Sequence, residues 1–231
     1  MSHESPFRVK ICGVTTLADA AAAVDAGADA LGLNFYSGSK RYVSRETAGE
    51  IPKVVAGKVL LVGVFVNPSA AEVAETVEAV GFDAIQLHGD EPAGFVSELR
   101  SDRRVAERPV IRAFRFGRHG PSHMEEYVQR CVAAGTPVSA ALIDAYVAGD
   151  YGGSGTPIDW KAFRELRPRL GNLPLILAGG LTPENVEQAI AAAAPDGVDV
   201  ASGVESSPGR KDPDKVRKFV ANARRALESS Q

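Results

Sequence analysis

One thiol, several carboxylates and three glycine-rich turns stand where short apolar runs end. Cys12 closes VKIC, and Asp144 sits near the end of the run in LIDAY. Asn34, Gln86, His88, Asp199 and Ser202 hold comparable places in ALGLNF, AIQLHG and GVDVASG. A thiol acts as a base only as its thiolate, which a nearby cation or oriented dipoles favour. Lys10 shares the face of Cys12 by strand alternation. A carboxyl group donates a proton near neutral pH when its pKa is raised, usually by burial. A thiol facing a carboxyl therefore suits removal of a proton from carbon while an oxygen is protonated. Each residue also has a plainer reading, Cys12 as a small buried apolar group and Asp144 as a helix cap or ion-pair partner. Sequence alone gives no distance between them.

The turns suit an anion. Gly179 and Gly180 in LAGG run into Thr182-Pro183, and Ser202 and Gly203 end VASG. A third run, Tyr151-Gly152-Gly153-Ser154-Gly155, follows LIDAY. Glycines let backbone N–H groups approach an oxyanion, and helix N-termini add partial positive charge. Tight turns alone would also explain any one of them. Arg41, in SGSKRY, could grip a carboxylate with its two-pronged guanidinium or lie solvated at the surface.

The elements that must position these groups alternate. VKIC, ALGLNF, LLVGVF, AIQLHG, VIRAF, AALIDAY, LPLILAGG and GVDVASG read as eight strands, rich in Val, Ile and Leu as suits a parallel sheet buried on both faces. Helix signals lie between them. Thr16/Asp19 and Ser69/Glu72 read as capping boxes, and Gly27 and Gly81 as left-handed C-terminal stops. Thr182-Pro183 and Asp212-Pro213 place a cap before proline at a first helical position, and Asp159 caps a helix carrying Phe163 and Leu166. Pro52 is expected to end or kink the second helix. A short helix follows Asp90-Glu91-Pro92, and another spans Pro121 to Ala134. SDRRVAERP, residues 101–109, reads as a charged surface loop, and the tail after about residue 224 as frayed. Eight βα units with no dividing linker, and no GxGxxG after the first strand, predict an α/β fold: a single-domain (β/α)8 TIM barrel over 1–231. In that fold the chemistry sits at the carboxyl ends of the strands, with a phosphate site after strands 7 and 8.

Bulk properties narrow the function. The chain has 231 residues and a net charge of −3, giving no global electrostatic case for nucleic acid or an anionic membrane. Its two cysteines, Cys12 and Cys131, show neither metal-ligand spacing nor a disulfide framework. Apolar runs stay short of ~18 residues and the start lacks a signal-peptide core. The expectation is a cytoplasmic enzyme acting on a small molecule as a monomer or homodimer, with no metal or cofactor.

The segments VKICGVTT, LGLNFYSGSKRYVS, LVGVFVN, IQLHGDE, LIDAYVAGDYGGSGTPIDW, LILAGGLTPENV and VDVASGVESSPGRKD together resemble phosphoribosylanthranilate isomerase of tryptophan biosynthesis. They occur in that family's order over nearly the whole chain, the first and last blocks being the most specific. The resemblance implies an aldose–ketose isomerase, an intramolecular oxidoreductase without a cofactor. It implies an Amadori rearrangement of N-(5-phosphoribosyl)anthranilate to 1-(2-carboxyphenylamino)-1-deoxyribulose 5-phosphate. Asp144 is then the general acid, Cys12 the general base, and Arg41 the ligand of the anthranilate carboxylate. Gly153, Ser154, Gly155, Gly179, Gly180, Ser202 and Gly203 fall in its phosphate loops. Gln86, His88 and Asp199 line or support the pocket.

Other readings stay open. A histidine-pathway isomerase does the same rearrangement but calls for an aspartate where Cys12 stands. Indoleglycerol-phosphate synthase needs a catalytic lysine pattern and usually an N-terminal extension. A non-catalytic phosphosugar-binding barrel could dispense with Cys12 and Asp144 together.

Overall fold

A computed structural model describes residues 5–117, 120–145 and 159–229. Strands β1 (Val9–Cys12), β2 (Ala30–Asn34), β3 (Leu60–Phe65), β4 (Ala84–Leu87), β5 (Val110–Phe116), β6 (Ala140–Ala145), β7 (Leu175–Leu177) and β8 (Gly197–Val200) form a closed parallel barrel in chain order. Lys10 pairs with Asp199 where β1 meets β8. This is the expected (β/α)8 architecture, with each predicted strand in place.

Strand alternation divides the core. Phe7, Ala30, Val62, Ala84, Ile111, Ala113, Ala140, Leu142, Ile176 and Ala178 pack together inside the barrel. Small residues dominate this group because little volume remains within eight strands. The opposite strand faces, with residues such as Ile11, Leu31, Ile85 and Ile143, join the helices in a larger apolar layer. Further along the strands several inward positions are polar, Cys12, Asn34, Gln86, Asp144 and Asp199 among them, and these build the site.

The first five connections carry α1 (Leu17–Asp25), α2 (Arg45–Val55), α3 (Ala70–Val80), α4 (Ala93–Arg100) and α5 (Gly120–Ala133). After β6 come two short helices, α6 (Trp160–Arg164) and α7 (Arg167–Leu170), then α8 (Val186–Ala193) after β7. Ser69 and Glu72 form the full capping box of α3, which ends at Gly81 with φ 81°. Such a cap stabilises a helix by about 1 kcal/mol. Thr16 accepts from the Asp19 amide, but Asp19 Oδ2 has no hydrogen-bond partner among the described residues, so only half of that box forms.

Three expectations are corrected. Pro52 does not end α2, the first of its two expected effects: its missing N–H costs the one bond back to Ala48, while the turn beyond it still closes, the Ala56 amide donating to the Pro52 carbonyl at 3.0 Å, and left-handed Ala56 provides the stop at Val55. The helix after β7 starts at Val186 and not at Pro183. Asn185 instead bridges the preceding loop, accepting from the Thr182 amide at 2.8 Å and donating to the Gly180 carbonyl at 2.9 Å. The segment after 224 is helical: α9 (Pro213–Ser229) keeps Leu227 buried, and Arg224 donates to the Gly27 carbonyl at 2.7 Å. Asp212 caps α9 as expected, accepting from the amides of Asp214 and Lys215.

One element had no counterpart in the sequence reading. After β8 a single 3-10 turn, Ser202–Val204, leads into an antiparallel hairpin of β9 (Glu205–Ser207) and β10 (Arg210–Lys211). Its Gly209 turn rests on the β1α1 loop, where Thr15 Oγ1 donates to the Gly209 carbonyl at 2.5 Å.

Candidate active site

Cys12, Asn34, Ser39, Arg41, His88, Asp144 and Asp199 line one small cavity of about 50 Å3 at the carboxyl ends of the strands. The thiol and the carboxyl proposed from sequence thus open onto the same space from β1 and β6. A larger cavity of about 460 Å3 lies on the outer side of the barrel wall, against Arg112, Phe114 and Tyr127. Its arginines are already matched with carboxylates, Arg112 with Glu91 and Arg130 with Glu126.

The thiol sits among charges. Below it on β1, Lys10 is fully buried and donates to Asp199 Oδ1 at 2.8 Å. Burial works against the Lys10 ammonium, but the Asp199 carboxylate and the Cys12 thiol outweigh it and hold the pKa above the usual lysine value. Burial dominates at Cys12 and pushes its thiol up, although Lys10 and Lys211 favour the thiolate. The cation anticipated beside the thiol is therefore present, but burial outweighs it and the thiol's pKa stays raised.

Asp144 is 6% exposed and held by its own backbone, Oδ1 accepting from the Ala145 amide at 2.8 Å. Its Oδ2 lies 3.4 Å from His88 Nε2, which makes no aligned hydrogen bond among the described residues. The other ring nitrogen, His88 Nδ1, is 2.8 Å from Gln86 Nε2. With the Gln86 amide donating, Nδ1 accepts and Nε2 carries the ring proton on the side of Asp144, without an aligned bond to it. Gln86 and His88 thus form one chain behind Asp144. Gly179, with φ 84°, makes room for this carboxylate, since a Cβ there would lie 2.8 Å from Asp144 Oδ1.

Arg41 reaches the cavity from the loop after β2. Ser39 Oγ accepts from the Arg41 amide at 3.1 Å and from Asn34 Nδ2 at 3.2 Å, folding that loop back over its strand. The arginine stem crosses Gly13, where a Cβ would lie 2.7 Å from its Cδ. Its guanidinium is held by Glu205, Nε to Oε1 and Nη2 to Oε2, both at 2.8 Å. Lys211 Nζ donates to the same Oε1 at 3.2 Å and to the Ala201 carbonyl at 2.9 Å.

Of the glycines expected to hold a phosphate, Gly179 and Gly180 follow β7 with φ 84° and 64°, conformations that favour glycine. Gly203 packs against the same loop, for a Cβ on it would meet the Leu181 carbonyl oxygen at 1.8 Å. The loops after β7 and β8 are thereby in contact, with Ser202 at their junction. Gly153, Ser154 and Gly155 lie outside the described residues. Sequence reasoning placed Lys10 on the correct face without giving it a role. It missed Glu205 and Lys211 altogether, although both lie in VESSPGRKD, a block it used for resemblance.

Comparison with known proteins identifies the family. The family model described as N-(5'phosphoribosyl)anthranilate (PRA) isomerase matches residues 9–222, from β1 into α9. The N-(5'-phosphoribosyl)anthranilate isomerase of Citrifermentans bemidjiense is 43% identical over 219 residues, covering 94% of this chain and 97% of that protein. The phosphoribosyl anthranilate isomerase of Thermotoga maritima superposes with a TM-score of 0.80 at 37% identity, over 94% of this chain and 98% of that one. A further solved phosphoribosyl anthranilate isomerase, in complex with reduced 1-(o-carboxyphenylamino)-1-deoxyribulose 5-phosphate, gives 0.77 at 36% identity, over 94% and 98%. Fold and sequence agree with these matches over nearly the whole chain, and the chain belongs to the N-(5'-phosphoribosyl)anthranilate isomerase family.

Proposed function

We propose that this chain, acting as one domain, isomerises N-(5'-phosphoribosyl)anthranilate to 1-(o-carboxyphenylamino)-1-deoxyribulose 5-phosphate. The observation that carries this is the convergence of Cys12, Asp144 and Arg41 on one cavity within a chain of this family. Asp144, as the acid, protonates the ribose ring oxygen. The C1–O bond breaks as the anilino nitrogen's lone pair forms a C1=N iminium. The Cys12 thiolate takes the proton from C2, and the C2–H electrons neutralise the iminium to give an enolamine. Return of a proton to C1 and loss of the 2-hydroxyl proton yield the ketone. Two protons are taken from the substrate and two are added, so Cys12 and Asp144 end as they began and no outside oxidant or reductant is needed. In class terms this is an intramolecular oxidoreduction between C1 and C2.

The remaining residues support that chemistry. The iminium's positive charge beside Cys12 favours the thiolate that burial opposes in the ligand-free protein. His88, held by Gln86, stands 3.4 Å from Asp144 and gives its carboxyl a polar neighbour. The Lys10–Asp199 pair sets the field beneath the thiol. Arg41 reads the anthranilate carboxylate, and the loops with Gly153, Ser154, Gly155, Gly179, Gly180, Ser202 and Gly203 hold the phosphate. We place the enzyme in the cytoplasm, as a monomer or homodimer. Among the described residues no helix is long and apolar enough to cross a membrane. The test is direct: purified protein should remove the fluorescence of phosphoribosylanthranilate generated in situ. A folded protein without turnover would leave another phosphosugar barrel as the reading.

A further inference from the structure

We propose that Glu205 is the positioning residue for substrate-carboxylate recognition: it fixes the plane in which Arg41 presents its guanidinium over the catalytic cavity. The inference rests on the reading of Arg41 as the carboxylate ligand and adds to it a residue from a different element.

Glu205 opens the β9 strand that follows the 3-10 turn, and its side chain is 5% exposed. Both of its oxygens engage Arg41, at 2.8 Å each, in a fork-to-fork pair. Such a pair fixes direction as well as distance, because two parallel bonds leave the guanidinium no rotation about a single contact. Burial opposes ionisation of Glu205, but the Arg41 hydrogen bonds and the Lys211 charge outweigh it and hold the carboxyl below the usual range. Both partners thus favour its charged form.

The hairpin bearing Glu205 is anchored to the loops that bear the reacting groups. Thr15 Oγ1, just past Cys12, bonds the Gly209 carbonyl at its turn. A Cβ on Gly209 would lie 2.7 Å from the Lys40 carbonyl oxygen, next to Arg41. Lys215 of α9 holds the Glu205 carbonyl at 2.9 Å. Glu205 also keeps two cations compatible, since Lys211 shares its Oε1 and the Lys211 and Arg41 charges oppose each other. Without the carboxylate, Arg41 would lose its fixed plane and be repelled by Lys211.

The test uses two inhibitors, reduced 1-(o-carboxyphenylamino)-1-deoxyribulose 5-phosphate and the same compound without the ring carboxylate. In Glu205→Gln, affinity for the carboxylated inhibitor should fall roughly 10–10²-fold, the scale of an angstrom-level misplacement. Affinity for the other should stay as in wild type, and KM should rise by more than kcat falls. In an Arg41→Ala background, Glu205→Gln should add nothing to the selectivity. Glu205→Asp, which keeps the charge but shortens the reach, should show the same selective loss, and it serves as the probe if the glutamine variant does not fold. Equal losses for both inhibitors, or none, would overturn the proposal by making Glu205 a purely structural or silent residue. Arg41→Ala alone separates the underlying reading: if it binds both inhibitors as wild type does, Arg41 does not read the carboxylate and Glu205 has nothing to position.

Discussion

Gly32 on β2 stands directly beside Cys12 on β1, its partner in the strand register. A Cβ at position 32 would lie 2.7 Å from Cys12 Sγ and 3.0 Å from Lys10 Nζ. Thiol and ammonium fit inside the barrel together because residue 32 has no side chain. Gly32→Ala must displace one of them in a core already filled. Its kcat should fall roughly 10–10²-fold through misplacement of the base, with a stability loss of about 1–3 kcal/mol from overpacking. Steady-state kinetics beside a thermal melt would measure both. A folded variant with wild-type kcat would show that the thiol's position is not critical.

The Lys10–Asp199 pair makes a stability prediction. Removing one partner of a buried pair leaves the other charge uncompensated, which costs about 3–5 kcal/mol. Lys10→Met should therefore lower the urea midpoint sharply, and Lys10→Met with Asp199→Leu should recover much of the loss. A double variant no more stable than the single would mean that the two charges are not energetically coupled.

The pH dependence follows from Cys12. A thiol ionises as pH rises through its pKa, and burial places that pKa above the ordinary thiol value of about 8.5. Alkylation of Cys12 in the ligand-free protein should thus be slow at neutral pH and climb only through the alkaline range. Mass spectrometry can follow Cys12 apart from Cys131, which is buried. Fast labelling with a midpoint below pH 7 would contradict the reading that burial outweighs Lys10 and Lys211.

Gly203 links the two glycine loops through its contact with the Leu181 carbonyl. Gly203→Ala should force them apart and weaken phosphate binding, raising KM roughly tenfold or more while kcat changes less. Inhibition by inorganic phosphate should weaken in parallel. Unchanged KM and phosphate inhibition would remove the loop after β8 from the phosphate site.

How far the sequence carried this account depends on the kind of signal. Strands such as Leu60–Phe65 and Ala140–Ala145 were legible because burial on both faces demands unbroken apolar runs. That Cys12, Asp144 and Asp199 would share one space was legible because they stand at strand ends, which the barrel gathers at one face. Glu205 was not, because its role depends on a hairpin whose strands are three and two residues long, too short for periodicity to reveal. Pro52 misled because a helical proline removes one bond to the turn before it and leaves its own carbonyl free to accept, here from Ala56, so the helix can run on. The tail misled because its charged composition hides an apolar stripe: Val216, Phe219, Val220, Ala223 and Leu227 are buried along one face of α9.

The proposed reaction makes Cys12 the base and Asp144 the acid on one bound substrate. Its most direct test is single-turnover loss of phosphoribosylanthranilate fluorescence by wild type, Cys12→Ala and Asp144→Asn, with enzyme in excess so that binding and release do not limit the rate. Each variant should be roughly 10²–10⁴-fold slower than wild type, the usual loss for a general acid or base, while still binding the reduced product analogue. A single-turnover rate near wild type in either variant would contradict the assignment of that residue.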